Sequence, residues 1–163
     1  MKKATRFLMA AFMLTAFVGF AACEEKPENP DPNPTDTYEE STSYEIICEG
    51  RTISAGDTVQ GMMGFKVDLY LVNKTESALA TRFKVEKVSG PDAMNKIGVC
   101  TDVCTDKQCP YTSEELNIPA NGRQYVAIEY MGENGNMTST YRFTVGEGLG
   151  LDNPQIIFVR IAV

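Results

Sequence analysis

Apolar and polar residues alternate in short runs along most of the chain after residue 43, which is the pattern of β-strands with one buried face. In the run 65–71, four apolar residues alternate with Lys66, Asp68 and Tyr70, which are therefore expected to face solvent. Turn sequences rich in glycine, proline and asparagine separate the runs. The other alternating runs lie at 44–48, 82–86, 126–130, 141–145 and 156–163, the last with Ile157, Val159, Ile161 and Val163 inward.

About seven short strands without alternating helices predict an all-β fold, an immunoglobulin-like antiparallel β-sandwich. A small β-barrel stays open as the alternative, because the pattern alone does not separate the two folds. One helical turn is predicted at Thr112–Leu116, capped by Thr112 or Ser113. The sandwich domain is assigned to residues 43–163, which is enough chain for one hydrophobic core.

The first 23 residues have the pattern of a bacterial lipoprotein signal. A basic start, Lys2 to Arg6, precedes the apolar run 7–20, and two alanines stand directly before Cys23. This run is shorter than the roughly 20 residues that span a bilayer, so a signal peptide is favoured over a transmembrane helix. We expect residues 1–22 to be removed and Cys23 to be acylated (palmitate or a related lipid), which would anchor the protein to a membrane.

Residues 23–42 are predicted to form an acidic, proline-rich tether, because they lack the apolar residues that a core needs. The acidic residues directly after Cys23 resemble the export signal of surface lipoproteins in Bacteroidota. We therefore expect an outer-membrane lipoprotein that is exposed at the cell surface rather than left in the periplasm. The periplasmic alternative stays open because solvated linkers are often acidic.

The net charge of the processed chain indicates which partners it can bind. Three of the basic residues lie in the signal, so the chain that remains has 12 basic and 22 acidic residues and a net charge of −10. Such a protein is a poor ligand for nucleic acid. The expected partners are the membrane, through the lipid anchor, and an unidentified protein or glycan.

The domain contains the segments Leu71-Val72-Asn73-Lys74-Thr75, Phe83-Lys84-Val85, Val99-Cys100 with Cys104, Asn117-Ile118-Pro119-Ala120-Asn121-Gly122 and Glu129-Tyr130-Met131-Gly132. Together they resemble the small immunoglobulin-like domains of exported Bacteroidota proteins that precede type IX secretion sorting tails. The resemblance covers about residues 60 to 163. It implies an immunoglobulin-like sandwich with a bonded cysteine pair in its middle loop.

Four cysteines, Cys48, Cys100, Cys104 and Cys109, remain when Cys23 carries the lipid. An even number in an oxidising compartment predicts two disulfides, and three pairings are open. We favour Cys100 with Cys104 and Cys48 with Cys109. A metal or redox site is the weaker hypothesis, because the spacing is not Cys-x2-Cys and the chain has no histidine. No metal and no cofactor are expected.

The absence of histidine also excludes Ser-His-Asp and Cys-His catalysis. Glu114-Glu115, the adjacent acidic pair of the domain, fits a solvated helix start better than a glycosidase pair. We expect no enzyme but a binding or adhesion module of the cell envelope, or an accessory subunit of an outer-membrane assembly. The alternative is a structural component of a fimbrial or secretion complex, in which a partner pairs with an open terminal strand, 156–163.

Loops at the ends of a sandwich are its usual contact elements. We expect contacts from the cysteine loop, 100–112, and from the loop 132–137. Asp57-Thr58-Val59 also fits the short motif at which Bacteroidota glycosylate exported proteins, so Thr58 is a possible glycosylation site. The candidate contact residues are Thr101, Asp102, Lys107, Tyr111, Glu133, Asn134 and Asn136.

Overall fold

The computed structural model describes residues 37–133 and 135–163. Four predictions fall outside these residues: the signal, lipidation at Cys23, most of the tether and the candidate contact residue Asn134. The described part contains no helix that is long and apolar enough to cross a membrane. Its strands are β1 (Tyr44–Cys48), β2 (Arg51–Ile53), β3 (Thr58–Gln60), β4 (Lys66–Asn73), β5 (Leu79–Ser89), β6 (Lys96–Cys100), β7 (Cys104–Gln108), β8 (Tyr111–Thr112), β9 (Leu116–Ile118), β10 (Arg123–Glu129), β11 (Thr138–Glu147) and β12 (Asp152–Ala162).

The strands form two sheets that pack face to face. Sheet A has the order β2-β1-β4-β10-β6-β7, and its neighbouring strands are antiparallel. Sheet B has the order β3-β12-β11-β5-β8, with β9 also paired to β5. Its pairs are antiparallel except for β3, which runs parallel to β12. The two sheets are open at their edges, which confirms the predicted sandwich over the barrel.

The core lies between the sheets and uses the residues that the alternation placed inward. Each fully buried aliphatic or aromatic side chain stabilises such a core by about 1.5–3 kcal/mol. The hydroxyls of two buried tyrosines add hydrogen bonds, one from sheet A to sheet B and one from sheet B to the turn at Asp92–Asn95. Tyr44 donates to the carbonyl of Val145 at 2.8 Å, and Tyr141 donates to that of Met94 at 2.7 Å. The largest fully buried side chains are Tyr44, Tyr141, Phe83, Phe143, Ile46, Leu69, Leu71, Met94, Ile97, Ile118, Ile128 and Ile157.

The predicted helical turn at Thr112–Leu116 is wrong. Thr112 lies in β8, and the backbone N–H of Ser113 donates to the carbonyl of Phe83 at 2.9 Å. The Ser113 hydroxyl accepts from the N–H of Phe83 rather than capping a helix. Pairing with β5 and burial of Ile118 in the core outweigh the local capping signal. The short helix of the described chain is instead a 3-10 turn, Asp92–Asn95.

The terminal strand β12 is not an open edge. The alternative of a fimbrial or secretion component required an open edge there, so that a partner strand could pair with it. β12 pairs with β11 on one side along nearly its whole length. On the other side β3 pairs with residues 158–160. Two further backbone hydrogen bonds are made on this side, one before and one after the paired residues. Gly56 N–H donates to the carbonyl of Ile156 at 2.7 Å, and Ala162 N–H donates to that of Gly64 at 3.0 Å. The backbone of β12 therefore has little left to offer a partner strand.

The structure contains the predicted Cys100–Cys104 disulfide, which closes the β6–β7 hairpin. Cys48 and Cys109 are free thiols, so the predicted bridge between them is wrong. Cys48 lies at the end of β1 and Cys109 directly follows β7, with β4, β10 and β6 between these strands. Four strand spacings amount to about 19 Å, whereas a disulfide needs Cα atoms within about 7 Å. Burial raises the pKa of both thiols, which makes them poor nucleophiles.

Candidate binding surface

The tips of the two predicted contact loops lie at different levels along sheet A. Cys100 pairs with Ala127, and Ala127 with Asp68, the third residue of β4, so the hairpin tip with Thr101 and Asp102 lies beside the middle of β4. The loop with Glu133 and Asn136 lies beyond the start of β4, because Tyr130 N–H donates to the carbonyl of Phe65. About four residues of β4, or about 13 Å, separate the two levels. Thr101 and Asp102 therefore do not lie beside Glu133 and Asn136.

Lys107 and Tyr111, assigned from the sequence to the cysteine loop, lie on strands β7 and β8. The Lys107 Nζ is 5.1 Å from the centre of the Tyr111 ring, and that ring packs edge-on to the buried Phe83. Because β7 belongs to sheet A and β8 to sheet B, this contact joins the sheets where the chain crosses between them. Thr58, the predicted glycosylation residue, is exposed on the edge strand β3.

A more organised surface lies on the outer face of sheet A. The side chains of β4 and β10 that do not enter the core face outward, and the antiparallel register places Tyr70 directly opposite Tyr125. Their ring centres are 5.6 Å apart with an interplanar angle of 54°. The Arg123 guanidinium lies over the Tyr70 ring at 4.8 Å, and the Lys66 ammonium lies over the Tyr125 ring at 5.8 Å. Cross-strand pairing thus builds an aromatic patch with a cation on each ring.

Asp68 completes this surface, which we call the sheet A platform (Lys66, Asp68, Tyr70, Arg123 and Tyr125). The Tyr125 hydroxyl donates to an Asp68 carboxylate oxygen at 2.5 Å, and the Lys66 Nζ lies 3.0 Å from the same oxygen. Partial burial would raise the pKa of Asp68, but the bonds from Tyr125 and Lys66 outweigh it and hold that pKa below its usual value. Interactions with Tyr125 and Asp68 raise the pKa of Lys66. Both charges are therefore fixed at neutral pH.

The disulfide flanks the platform on the same face. The small side chain of Ala127 lies between Asp68 and Cys100 in the register, and the Glu129 carboxylate comes within 3.6 Å of the Cys100 sulfur. The two sulfurs and this carboxylate all lie within 4.8 Å of one another, a spacing that suits a metal ion. In the bonded form, however, neither sulfur is a thiolate ligand. The disulfide therefore braces the edge beside the platform.

Three of the five platform residues were identified as outward positions from the sequence. Lys66, Asp68 and Tyr70 are outward positions of the run 65–71, and the structure places them outward. Tyr125 and Arg123 were missed because β10 begins earlier than the run 126–130 from which it was predicted. Extending the alternation of the run 126–130 towards the N-terminus would have found them, because Val126 faces inward and Tyr125 and Arg123 then face outward.

Comparison with protein-family models finds no match for this chain, and neither does comparison with curated proteins. Solved structures do resemble it. The N-terminal domain of PorA is 11% identical, with a TM-score of 0.50 over 73% of this chain and 96% of that one. A conjugate transposon protein from Bacteroides vulgatus is 10% identical, with a TM-score of 0.40 over 80% of this chain and 92% of that one. A PapD-like domain of human CEP192 is 14% identical, with a TM-score of 0.36 over 78% and 89%.

At such identities the likeness concerns the fold. Together with the two-sheet topology, it establishes the class of the protein as an immunoglobulin-like β-sandwich domain.

Proposed function

We propose that this chain is a lipid-anchored, non-enzymatic binding or adhesion module of the outer membrane, exposed at the cell surface, or an accessory subunit of an outer-membrane assembly. The lipoprotein pattern that ends at Cys23 supports the anchor, and the absence of histidine supports a role without catalysis. The protein or glycan partner is contacted by the sheet A platform.

The sheet A platform is the observation that carries this proposal. Tyrosine and arginine are enriched where proteins bind one another, because they supply large contact areas with a polar group attached. The Tyr70 and Tyr125 rings already contact each other and hold Arg123 and Lys66 above them. A partner would therefore meet side chains whose conformations are fixed, so that binding loses little side-chain entropy.

The start of the described chain lies on the other side of the sandwich. Tyr38 packs edge-on against Phe158, with ring centres 5.8 Å apart, and Phe158 faces outward from sheet B. The sheet A platform is on the opposite outer face. The described end of the tether therefore does not obstruct a partner that approaches the platform.

Site-specific photocrosslinking in intact cells tests this contact surface. A photoreactive residue at position 70 is expected to capture a partner of one defined mass. Position 88 is the control, because Val88 is an exposed strand residue that lies on sheet B and not on the platform. Positions 102 and 133 test the loops predicted from the sequence. Capture of that mass at 102 or 133 but not at 70 would assign the contact to the loops and refute the platform.

The anchor is tested separately with Cys23→Ala. This variant lacks the thiol that would be acylated and is expected to leave the membrane fraction. The wild-type protein should carry the additional mass of acyl chains, measured by mass spectrometry of the protein extracted from membranes. A variant that stays in the membrane fraction, beside a wild type without acyl mass, would contradict the anchor and leave the platform proposal intact.

A further inference from the structure

The outer face of sheet B has a different composition from that of sheet A. Phe83, Val85 and Phe143 are fully buried in the core, so the residues between them and beside them face outward. Four outward positions on three neighbouring strands carry a positive charge. These are Arg82 and Lys84 on β5, Arg142 on β11 and Arg160 on β12, which we call the cationic stripe.

The strand register arranges these four side chains along a diagonal. Arg160 pairs with Thr140, two residues before Arg142 on β11. Thr144, two residues after Arg142, pairs with Lys84, and Arg82 follows along β5. Diagonal neighbours on adjacent strands lie about 7–8 Å apart. The cationic stripe therefore crosses the sheet as a continuous row.

Most of this charge has no partner. Among the described residues, the Lys84 ammonium pairs with Glu86 at 2.7 Å, and no carboxylate lies within ion-pair distance of Arg82, Arg142 or Arg160. The Nε atoms of Arg82 and Arg142 are buried without an acceptor. Unpaired guanidinium groups concentrated on one face are unusual in a chain whose net charge is −7. Their donors suit carboxylate or sulfate groups, which they bind in a bidentate manner.

We propose that the cationic stripe binds an acidic polysaccharide, a second binding function beyond that of the sheet A platform. The strands β5 and β11 are paired on both sides where the stripe crosses them, so a peptide cannot join them by strand addition and recognition must come from side chains. The half-buried Thr144 lies beside Lys84 in the register, two residues after Arg142, and its hydroxyl suits the hydroxyls of a sugar chain.

The surroundings favour a narrow polymer over a flat anionic membrane. Glu39, which is exposed, lines the same shallow depression as Ile156, an outward residue of β12 beside Thr144. A bilayer that covered the face would bring this carboxylate against its own phosphates, which repel it. A single sugar chain along the diagonal avoids Glu39.

The test uses the chain from residue 23 onward with Cys23→Ala, so that no lipid contributes. Binding to carboxymethyl dextran is compared with binding to neutral dextran, which has the same backbone without carboxylates. We expect binding to the charged polymer alone, and binding that weakens as salt rises. In Arg142→Gln/Arg160→Gln the affinity should fall about tenfold, because two charge contacts are lost. In the matched control Arg51→Gln/Lys74→Gln, two exposed cations away from the stripe are removed and affinity should be unchanged.

Equal affinity in the stripe variant, with thermal unfolding showing that it is folded, would overturn the proposal. So would equal binding to neutral dextran. Tighter binding to poly-glutamate, or to vesicles of phosphatidylglycerol, than to carboxymethyl dextran would assign the stripe to another class of ligand and overturn it as well. None of these results depends on the sheet A platform or on the lipid anchor.

Discussion

The outer faces of the two sheets differ in the share of their cations that have a partner. On sheet A, Lys66 pairs with Asp68 at 3.0 Å, Lys96 pairs with Asp106 at 2.5 Å, and Arg123 lies over a tyrosine ring. On sheet B, Arg142 and Arg160 have no such partner among the described residues. The alternation of residues is the same in both sheets. Both sheets pair one lysine along a single strand, Lys66–Asp68 on β4 and Lys84–Glu86 on β5. On sheet A, neighbouring strands also supply the partners of Lys96 and Arg123.

This contrast separates stabilising charges from charges that are available to a ligand. Groups that are already paired contribute to folding, and their removal should lower the free energy of unfolding. Unpaired arginines contribute little to folding, so that their removal should affect binding instead. Variants on the two faces should therefore differ in whether folding or binding changes.

The largest effect on stability is expected from the disulfide beside the platform. Cys100→Ala/Cys104→Ala removes the covalent closure of the β6–β7 hairpin. For so short a loop, chain entropy predicts a loss of about 2 kcal/mol in the free energy of unfolding. Urea unfolding of the variant and the wild type measures it, and an unchanged midpoint would contradict a bracing role. As a control, the denatured, unreduced domain should show two free thiols, Cys48 and Cys109, and finding none would restore the rejected second bridge.

A smaller effect is expected from the hydroxyl that joins the platform. Tyr125→Phe removes the donor to Asp68 while keeping the ring, so the free energy of unfolding should fall by about 1 kcal/mol. Arg142→Gln on sheet B should change it by no more than about 0.5 kcal/mol, because no ion pair is lost. Chemical denaturation of both variants checks the contrast. A larger loss in Arg142→Gln than in Tyr125→Phe would reverse our assignment of the two faces.

The smallest effect is a dependence on pH that belongs to sheet A. The pKa of Asp68 is lowered in the folded state, so its contribution is present above the ordinary aspartate pKa near 4 and is lost as pH falls below it. Because Asp68 is about half exposed, the contribution should stay below about 1 kcal/mol. Between pH 6 and pH 3, the free energy of unfolding of Asp68→Asn should therefore fall by less than that of the wild type. That of Arg142→Gln should fall by as much as that of the wild type. Parallel losses in Asp68→Asn and the wild type would contradict the lowered pKa.

At alkaline pH the same surface should respond with the opposite sign. Burial, together with the bond to Asp68, raises the pKa of Tyr125. Its contribution is therefore complete below the ordinary tyrosine pKa near 10 and is lost as pH rises through the folded value. Tyr125→Phe removes this part of the alkaline loss, although the buried Tyr44, whose pKa burial raises to about 12, still contributes in both proteins.

The fold was largely predictable from the sequence, because a buried face leaves a period of two in any strand that is long enough. That period located six strands, and it showed that Lys66, Asp68 and Tyr70 face outward. The six strands are β1, β4, β5, β10, β11 and β12. Strands of two or three residues, such as β8 and β9, are too short to show a period. One of them replaced the helical turn that capping residues had suggested.

The surfaces were less predictable, because they depend on contacts between distant parts of the chain. Tyr70 and Tyr125 meet only because β4 pairs with β10, and Arg142 lies near Lys84 only because β11 pairs with β5. A single sequence does not contain this order of strands. For the same reason the Cys48–Cys109 pairing failed, since three strands separate the two thiols.

Nuclear magnetic resonance of the domain during titration with carboxymethyl dextran tests the contrast between the two faces most directly. Our account predicts shifts in amide signals along β5, β11 and β12 around Arg82, Arg142 and Arg160, with the signals of β4 and β10 unchanged. Shifts of equal size around Lys66 and Arg123, or shifts confined to sheet A, would contradict it.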